Sequence, residues 1–156
     1  MPPTQVRLAT PSDRDELADM RTSLWPESAV EEQESELDAY FREDRTSALP
    51  SAILVAEDSG GLSGFLEVSL RSHADGCDVT RPVGYVEGWF VREAVRHSGV
   101  GRALMGAAEA WARGHGCREM ASDALIDNEL SQQAHQGLGF AEVDRCVHYR
   151  KDLGTG

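Results

Sequence analysis

The stretch Tyr85-Val86-Glu87-Gly88-Trp89-Phe90-Val91 is followed, after a short connector, by Arg96-His97-Ser98-Gly99-Val100-Gly101-Arg102. The first half, with Val83 and Gly84 before it, reads as a long strand, and Gly88 inside it marks a bulge or a close backbone approach. The second half opens a helix. Val100, Leu104, Ala107, Ala108 and Trp111 recur at three- and four-residue intervals, predicting a helix over 99–115 that Gly116 ends. Glycines at a strand-to-helix turn let several backbone N–H groups face one point, and the helix N-terminus adds partial positive charge, so the segment suits a pyrophosphate. Arg96 and Arg102 add cationic charge. The same pattern also fits a glycine-rich turn that binds nothing.

Working outward, residues 51–57 and 62–70 read as strands joined by the turn Asp58-Ser59-Gly60-Gly61, an antiparallel hairpin. Before it come a short strand over 6–9, a helix over 15–25 ended by Pro26, and a helix from Ala29 to Arg45 whose many acids read as a solvated face. Residues 71–82 show no periodicity and read as a loop. After the glycine-led helix come a strand over 117–122, a helix over 128–136, and a final strand or pair of strands over 140–151. This order predicts a single domain, 1–156, of the α/β (α+β) class: a mixed sheet with helices on its faces. A P-loop needs Gly-Lys-Ser/Thr where this chain has Gly101-Arg102-Ala103, and a hairpin stands where a dinucleotide fold would begin, so both of those phosphate motifs fit poorly.

Composition narrows the ligands. Fifteen Lys and Arg against 27 Asp and Glu leave a formal charge of −12. That balance argues against nucleic acid, whose phosphates are held by clustered cations, and favours small cationic ligands. No apolar run approaches the roughly 20 residues of a bilayer span, and the N-terminal residues lack a signal-peptide pattern, so no membrane association and a cytoplasmic location are expected. Cys77, Cys117 and Cys146 are odd in number and form no CxxC, which points away from a disulfide framework and from a structural metal site.

The motif Arg96-x-x-Gly99-x-Gly101 after a strand resembles the acetyl-coenzyme A pyrophosphate loop of the Gcn5-related N-acetyltransferases, and Asn128 with Gly139-Phe140 resembles the motif that follows it. Within that superfamily, residues 85–91, Ala121-Ser122-Asp123-Ala124, Asp127-Asn128 and residues 135–140 look like the aminoglycoside 6'-N-acetyltransferases. The resemblance implies a mostly antiparallel mixed sheet, acetyl-coenzyme A as cosubstrate without a metal, an aminoglycoside amine as acceptor, and a homodimer through terminal strands near 147–153. It implies that backbone N–H groups of Phe90 and Val91 hold the pantetheine arm and thioester carbonyl as an oxyanion site. Backbone groups of Ser98, Gly99, Val100, Gly101 and Arg102, with the Arg96 side chain, would take the pyrophosphate, and Asn128 would contact coenzyme A.

The attacking amine must be neutral, so a base or anchor is required beside it. The resemblance gives that role to Asp123, with Glu87 on the neighbouring strand as a second carboxylate, and gives Trp25 a place in the acceptor wall. His73, in the loop, is a candidate cover for the substrate. His135 stands where many superfamily members carry a tyrosine that protonates the departing thiolate; imidazole can serve as an acid, or simply cap and pack. Two other readings stay open: acetylation of a polyamine, peptide or other small amine, and a non-catalytic acyl-coenzyme A-binding domain.

Overall fold

The computed structural model of the chain describes residues 4–42 and 49–155. Contacts divide it into two compact units, Met1–Asp123 and Ala124–Gly156.

The first unit is built on a five-stranded sheet in sequence order: β1 (Gln5–Leu8), β2 (Ser51–Asp58), β3 (Gly61–Arg71), β4 (Val83–Val91) and β5 (Met120–Ser122). The first four strands pair antiparallel, and β4 pairs parallel with β5. Parallel neighbours need a crossover, which α3 (Val100–Gly114) supplies. Helices α1 (Arg14–Leu24) and α2 (Val30–Phe41) lie on the other face. The expected end of that second helix at Arg45 lies outside the described residues; within them it stops at Phe41.

Alternation along β2 and β3 assigns the two cores. Ile53, Val55 and Phe65 pack with Leu17, Met20 and Leu37 of α1 and α2. Phe65, wholly buried, lies against Trp25 and Phe90 with centroids 6.3 and 6.1 Å away. Truncating it to alanine would cost about 3–5 kcal/mol. On the opposite face Leu70 packs with Ala112 and Cys117. Gly64 faces α3, and a Cβ there would meet the Phe90 carbonyl oxygen at 2.6 Å and Leu104 at 3.2 Å, so no side chain fits.

The acids of α2 are not all solvated, as the sequence suggested. Asp38 accepts from Arg14 at 2.7 and 3.2 Å, and Glu36 accepts from the buried Arg21, stitching α2 to α1. The strand expected over 117–122 begins at Met120, because the Cys117 N–H bonds back to the Ala112 carbonyl at 3.0 Å and closes the helix end.

In the second unit, α4 (Glu129–Gly137) is followed by a segment without regular structure. The final strand expected over 140–151 does not form among the described residues. Val143, Val147, Tyr149 and Leu153 of this segment are exposed. All three cysteines are free thiols. No described helix is long and apolar enough to cross a membrane, and no described cluster of His, Cys, Asp and Glu could hold a metal ion.

Candidate active site

The sheet opens between β4 and β5. Their pairing covers only Gly84–Val86 against Met120–Ser122, while β4 stays paired with β3 as far as Val91. Past Val86, β5 therefore no longer pairs with β4. Which amides face that open edge of β4 follows from the Arg92 N–H, which donates to the Ser63 carbonyl of β3 at 2.8 Å. Alternation turns the N–H of Val91 the other way, toward the open edge, and that of Phe90 toward β3. The Phe90 carbonyl oxygen, close against Gly64, agrees. Of the two amides expected to hold the pantetheine arm, Val91 is placed for it; Phe90 contributes its ring to the core instead.

A bulge lies just before this edge. Glu67 opposes Gly88, and Val68 opposes Val86, so Glu87 is the extra residue. Gly88 is also a close approach: a Cβ there would meet the Trp25 ring at 2.7 Å. Both readings of that glycine hold.

After β4 the chain turns into α3 with His97 at φ 65° and Gly99, the residue before the helix, at φ 94°. The left-handed Gly99 aims the first-turn N–H groups of residues 100–102 out of the helix end. A Cβ on Gly101 would press on the Trp89 ring at 3.2 Å. Arg96 Nε donates to the Val91 carbonyl at 2.9 Å, and its guanidinium stands 6.0 Å from the Phe90 ring centroid, which ties the loop to the open strand. The Ser98 hydroxyl donates to the Val95 carbonyl. These donors fit a pyrophosphate, with helix-end amides and one tethered cation.

On the α1 side of the sheet the polar residues form a continuous strip. Asp123, one residue past β5, accepts from the Tyr85 hydroxyl at 2.8 Å through one oxygen. Burial, then the Asp123 bond, push the Tyr85 hydroxyl up to about 12. Arg71 lies over the Tyr85 ring at 3.5 Å and grips both oxygens of Glu87 at 2.9 and 2.7 Å, while the Ser69 hydroxyl donates to the same carboxylate at 2.6 Å. Glu87 in turn lines a cavity of about 360 Å³ with Trp25, Ser28, Glu36 and Glu67. Arg21 closes the cavity floor. Its guanidinium donates to Glu67, Glu36 and Gln33 and stands 5.0 Å from the Trp25 ring. Burial pushes the Glu67 carboxyl above the usual range, against the pull of Arg21.

The structure thus brings Trp25, Glu87 and Asp123 onto one face. His73 is exposed in the loop, 3.9 Å from Asp75. Asn128 and His135 belong to the second unit. There Asn128 caps α4, accepting from the Ser131 N–H at 3.1 Å, and His135 Nδ1 donates to the Ser131 carbonyl at 2.6 Å with its ring edge-on to Phe140. Arg21, Glu67, Arg71 and Tyr85 were not anticipated as site residues. The alternation of residues 65–71 opposite Tyr85 and Glu87 was the available signal, but reading it requires the register across the hairpin.

A sheet that parts between parallel strands, with a glycine-led helix end after the opened strand and carboxylates on the adjoining face, has room for a phosphate-bearing group at the helix end and a cation at the carboxylates. The chain belongs to the acetyltransferase (GNAT) family, whose sequence pattern matches residues 16–140. It is 41% identical over 149 residues to the aminoglycoside N(6')-acetyltransferase type 1 of Klebsiella aerogenes, covering 95% of this chain and 96% of that protein. The protein of the same name from Stenotrophomonas maltophilia is 37% identical, covering 95% of this chain and 93% of its own. Among solved structures, AAC(6')-Iy in complex with the bisubstrate analog CoA-S-monomethyl-acetylneamine superimposes with a TM-score of 0.86 at 32% identity, over 97% of this chain and 99% of that one.

Proposed function

We propose that this chain is an aminoglycoside 6'-N-acetyltransferase, transferring acetyl from acetyl-coenzyme A to the 6'-amine of aminoglycoside antibiotics and so conferring resistance. The observation that carries the reading is Asp123, held by Tyr85 at the end of β5 where β4 and β5 part, on a sheet face lined by carboxylates. Similarity to enzymes named for this activity over nearly the whole chain supports it.

Acetyl-coenzyme A supplies a thioester whose acyl carbon the neutral amine attacks; the C–N bond forms, the C–S bond breaks and the thiolate leaves with a proton. Asp123 anchors the amine and takes its proton through the oxygen that Tyr85 leaves open. Glu87, with Trp25 as a wall, binds a further ammonium group of the acceptor, and His73 covers it. The Val91 N–H donates to charge that develops on the thioester oxygen, and the donors from Ser98 to Arg102 with Arg96 take the pyrophosphate. Asn128 serves as a coenzyme A contact and His135 as the acid for the thiolate, roles carried by the resemblance. The family match runs through both units, and we read residues 1–156 as one acetyltransferase domain.

We further propose a cytoplasmic homodimer. Its support is the family resemblance, together with the exposed apolar side chains Val143, Val147, Tyr149 and Leu153. Light scattering on the purified protein tests the dimer, and a monomer mass would reject it.

Release of free thiol from acetyl-coenzyme A tests the activity, using aminoglycosides with a 6'-amine, matched compounds with a 6'-hydroxyl, spermidine and a short peptide. Turnover confined to the 6'-amine compounds is expected. Activity only on spermidine or peptide overturns the antibiotic reading, and coenzyme binding without turnover on any amine would make the chain a binding domain.

A further inference from the structure

The acceptor face already holds a cation of its own. Arg71 is the last residue of β3, and the segment after it, 72–82, belongs to no strand or helix. Its guanidinium grips both oxygens of Glu87 and stacks on Tyr85, the residue that holds Asp123. An ammonium group bound at Glu87 would need that same position. We propose that Arg71 is a resident counter-ion of the acceptor site, displaced from Glu87 by an ammonium group of the substrate, and that this exchange selects acceptors carrying at least two amines.

The inference rests on the acceptor being a polycationic amine, as proposed above. Two features support an exchangeable cation rather than a fixed one. The Arg71 and Glu87 side chains are 44% and 34% exposed, and ion pairs this open contribute little because solvent screens them. Arg71 also sits at the end of its strand, where its side chain can swing without breaking the ladder. Arg21, on the same face, is the contrast: 6% exposed and bonded to three side chains, it is built in.

Exchange keeps Glu87 paired at every stage, first with guanidinium and then with ammonium, so no carboxylate is left bare. It also uncovers the Tyr85 ring, which can take the incoming cation on its face. The two-amine requirement follows from protonation. The reacting amine must shed its proton before attack, so it cannot also be the cation that displaces Arg71. A second, charged amine on the same acceptor must do that work.

The test is calorimetric titration of the full chain with a multi-amine aminoglycoside bearing a 6'-amine, together with NMR of the arginine Nε–H signals. Arg71→Lys keeps the charge but loses the bidentate fork and the planar stack, so it isolates the cost of displacement from the charge of the site. Its Kd is expected to fall by about 3- to 30-fold. In the unaltered protein the Arg71 Nε–H signal, assigned by its loss in Arg71→Lys, should shift when the aminoglycoside is added and stay in place with coenzyme A alone. An aminoglycoside carrying the 6'-amine as its sole amine should bind at least tenfold more weakly than the multi-amine probe, by about the cation it lacks. Tight binding with an unmoved Arg71 signal, or a weaker Kd in Arg71→Lys, overturns this proposal alone. Absence of both binding and acetylation in the unaltered protein overturns the aminoglycoside reading, and this proposal with it.

Discussion

Two arginine–glutamate pairs share the α1 face of the sheet. Arg21 and Glu67 are enclosed between α1, α2 and β3, whereas Arg71, at the end of β3, and Glu87, at the bulge in the middle of β4, lie open. The chemistry of the two pairs is the same, and the solvent around them is not. In the enclosed pair each charge depends on the other, because a bare ion in that setting would carry the whole cost of its desolvation. In the open pair water can replace either partner, which makes it available for exchange with a ligand. Burial therefore separates a pair locked into the fold from one open to exchange, though both are built of the same residue types.

The comparison can be broken or sharpened by substitution. Arg21→Met should have the largest effect on stability, about 3–5 kcal/mol by chemical denaturation, because it strands Glu67. A loss under about 1 kcal/mol would place Arg21 in the same class as Arg71. Asp123→Asn comes next, lowering kcat by about a hundredfold while acetyl-coenzyme A still binds by calorimetry; turnover at the original rate would remove Asp123 from the chemistry. Gly88 lies between the two pairs, opposite Glu67 and against Trp25. Gly88→Ala should cost about 1–3 kcal/mol of stability and raise the KM for the acceptor, since Trp25 must move.

Tyr85→Phe is the smallest change. Loss of one hydroxyl bond to Asp123 should lower kcat/KM by up to about tenfold. Because the Tyr85 hydroxyl is pushed up to about 12, it stays protonated throughout an assay between neutral pH and pH 10. The alkaline limb of the pH–rate profile should therefore keep its position in Tyr85→Phe. A shifted limb would show that Tyr85 itself titrates in the reaction.

Much of the fold could be read from local pattern. The hairpin of β2 and β3, the bulge at Gly88 and the α3 stripe each depend on residues close in sequence, and each appears where alternation or helical spacing puts it. The final strand expected over 140–151 is not among the described elements. In the candidate site, Trp25, Glu87 and Asp123, which the structure brings onto one face, were named through motif resemblance. Arg71 and Tyr85 were not, because their meaning lies in register across β3 and β4. Arg21 was missed because a charged residue on a helix ordinarily faces water, and only the fold shows α2 covering it. The N–H of Phe90 faces β3 while that of Val91 faces the open edge, because successive amides of a strand alternate between its two edges.

That extra residue acts as a frameshift in three dimensions. Upstream of Glu87 the strand is read in one parity, with Tyr85 facing the acceptor side; downstream it is read in the other, with Phe90 returned to that side and Trp89 turned to Gly101 of α3. In the proposed mechanism one strand thereby serves two clients, the amine and the thioester, from two reading frames. Removing a single residue there would exchange the faces of everything that follows, so this is the point in the chain where length, more than side-chain identity, holds the two half-sites in phase.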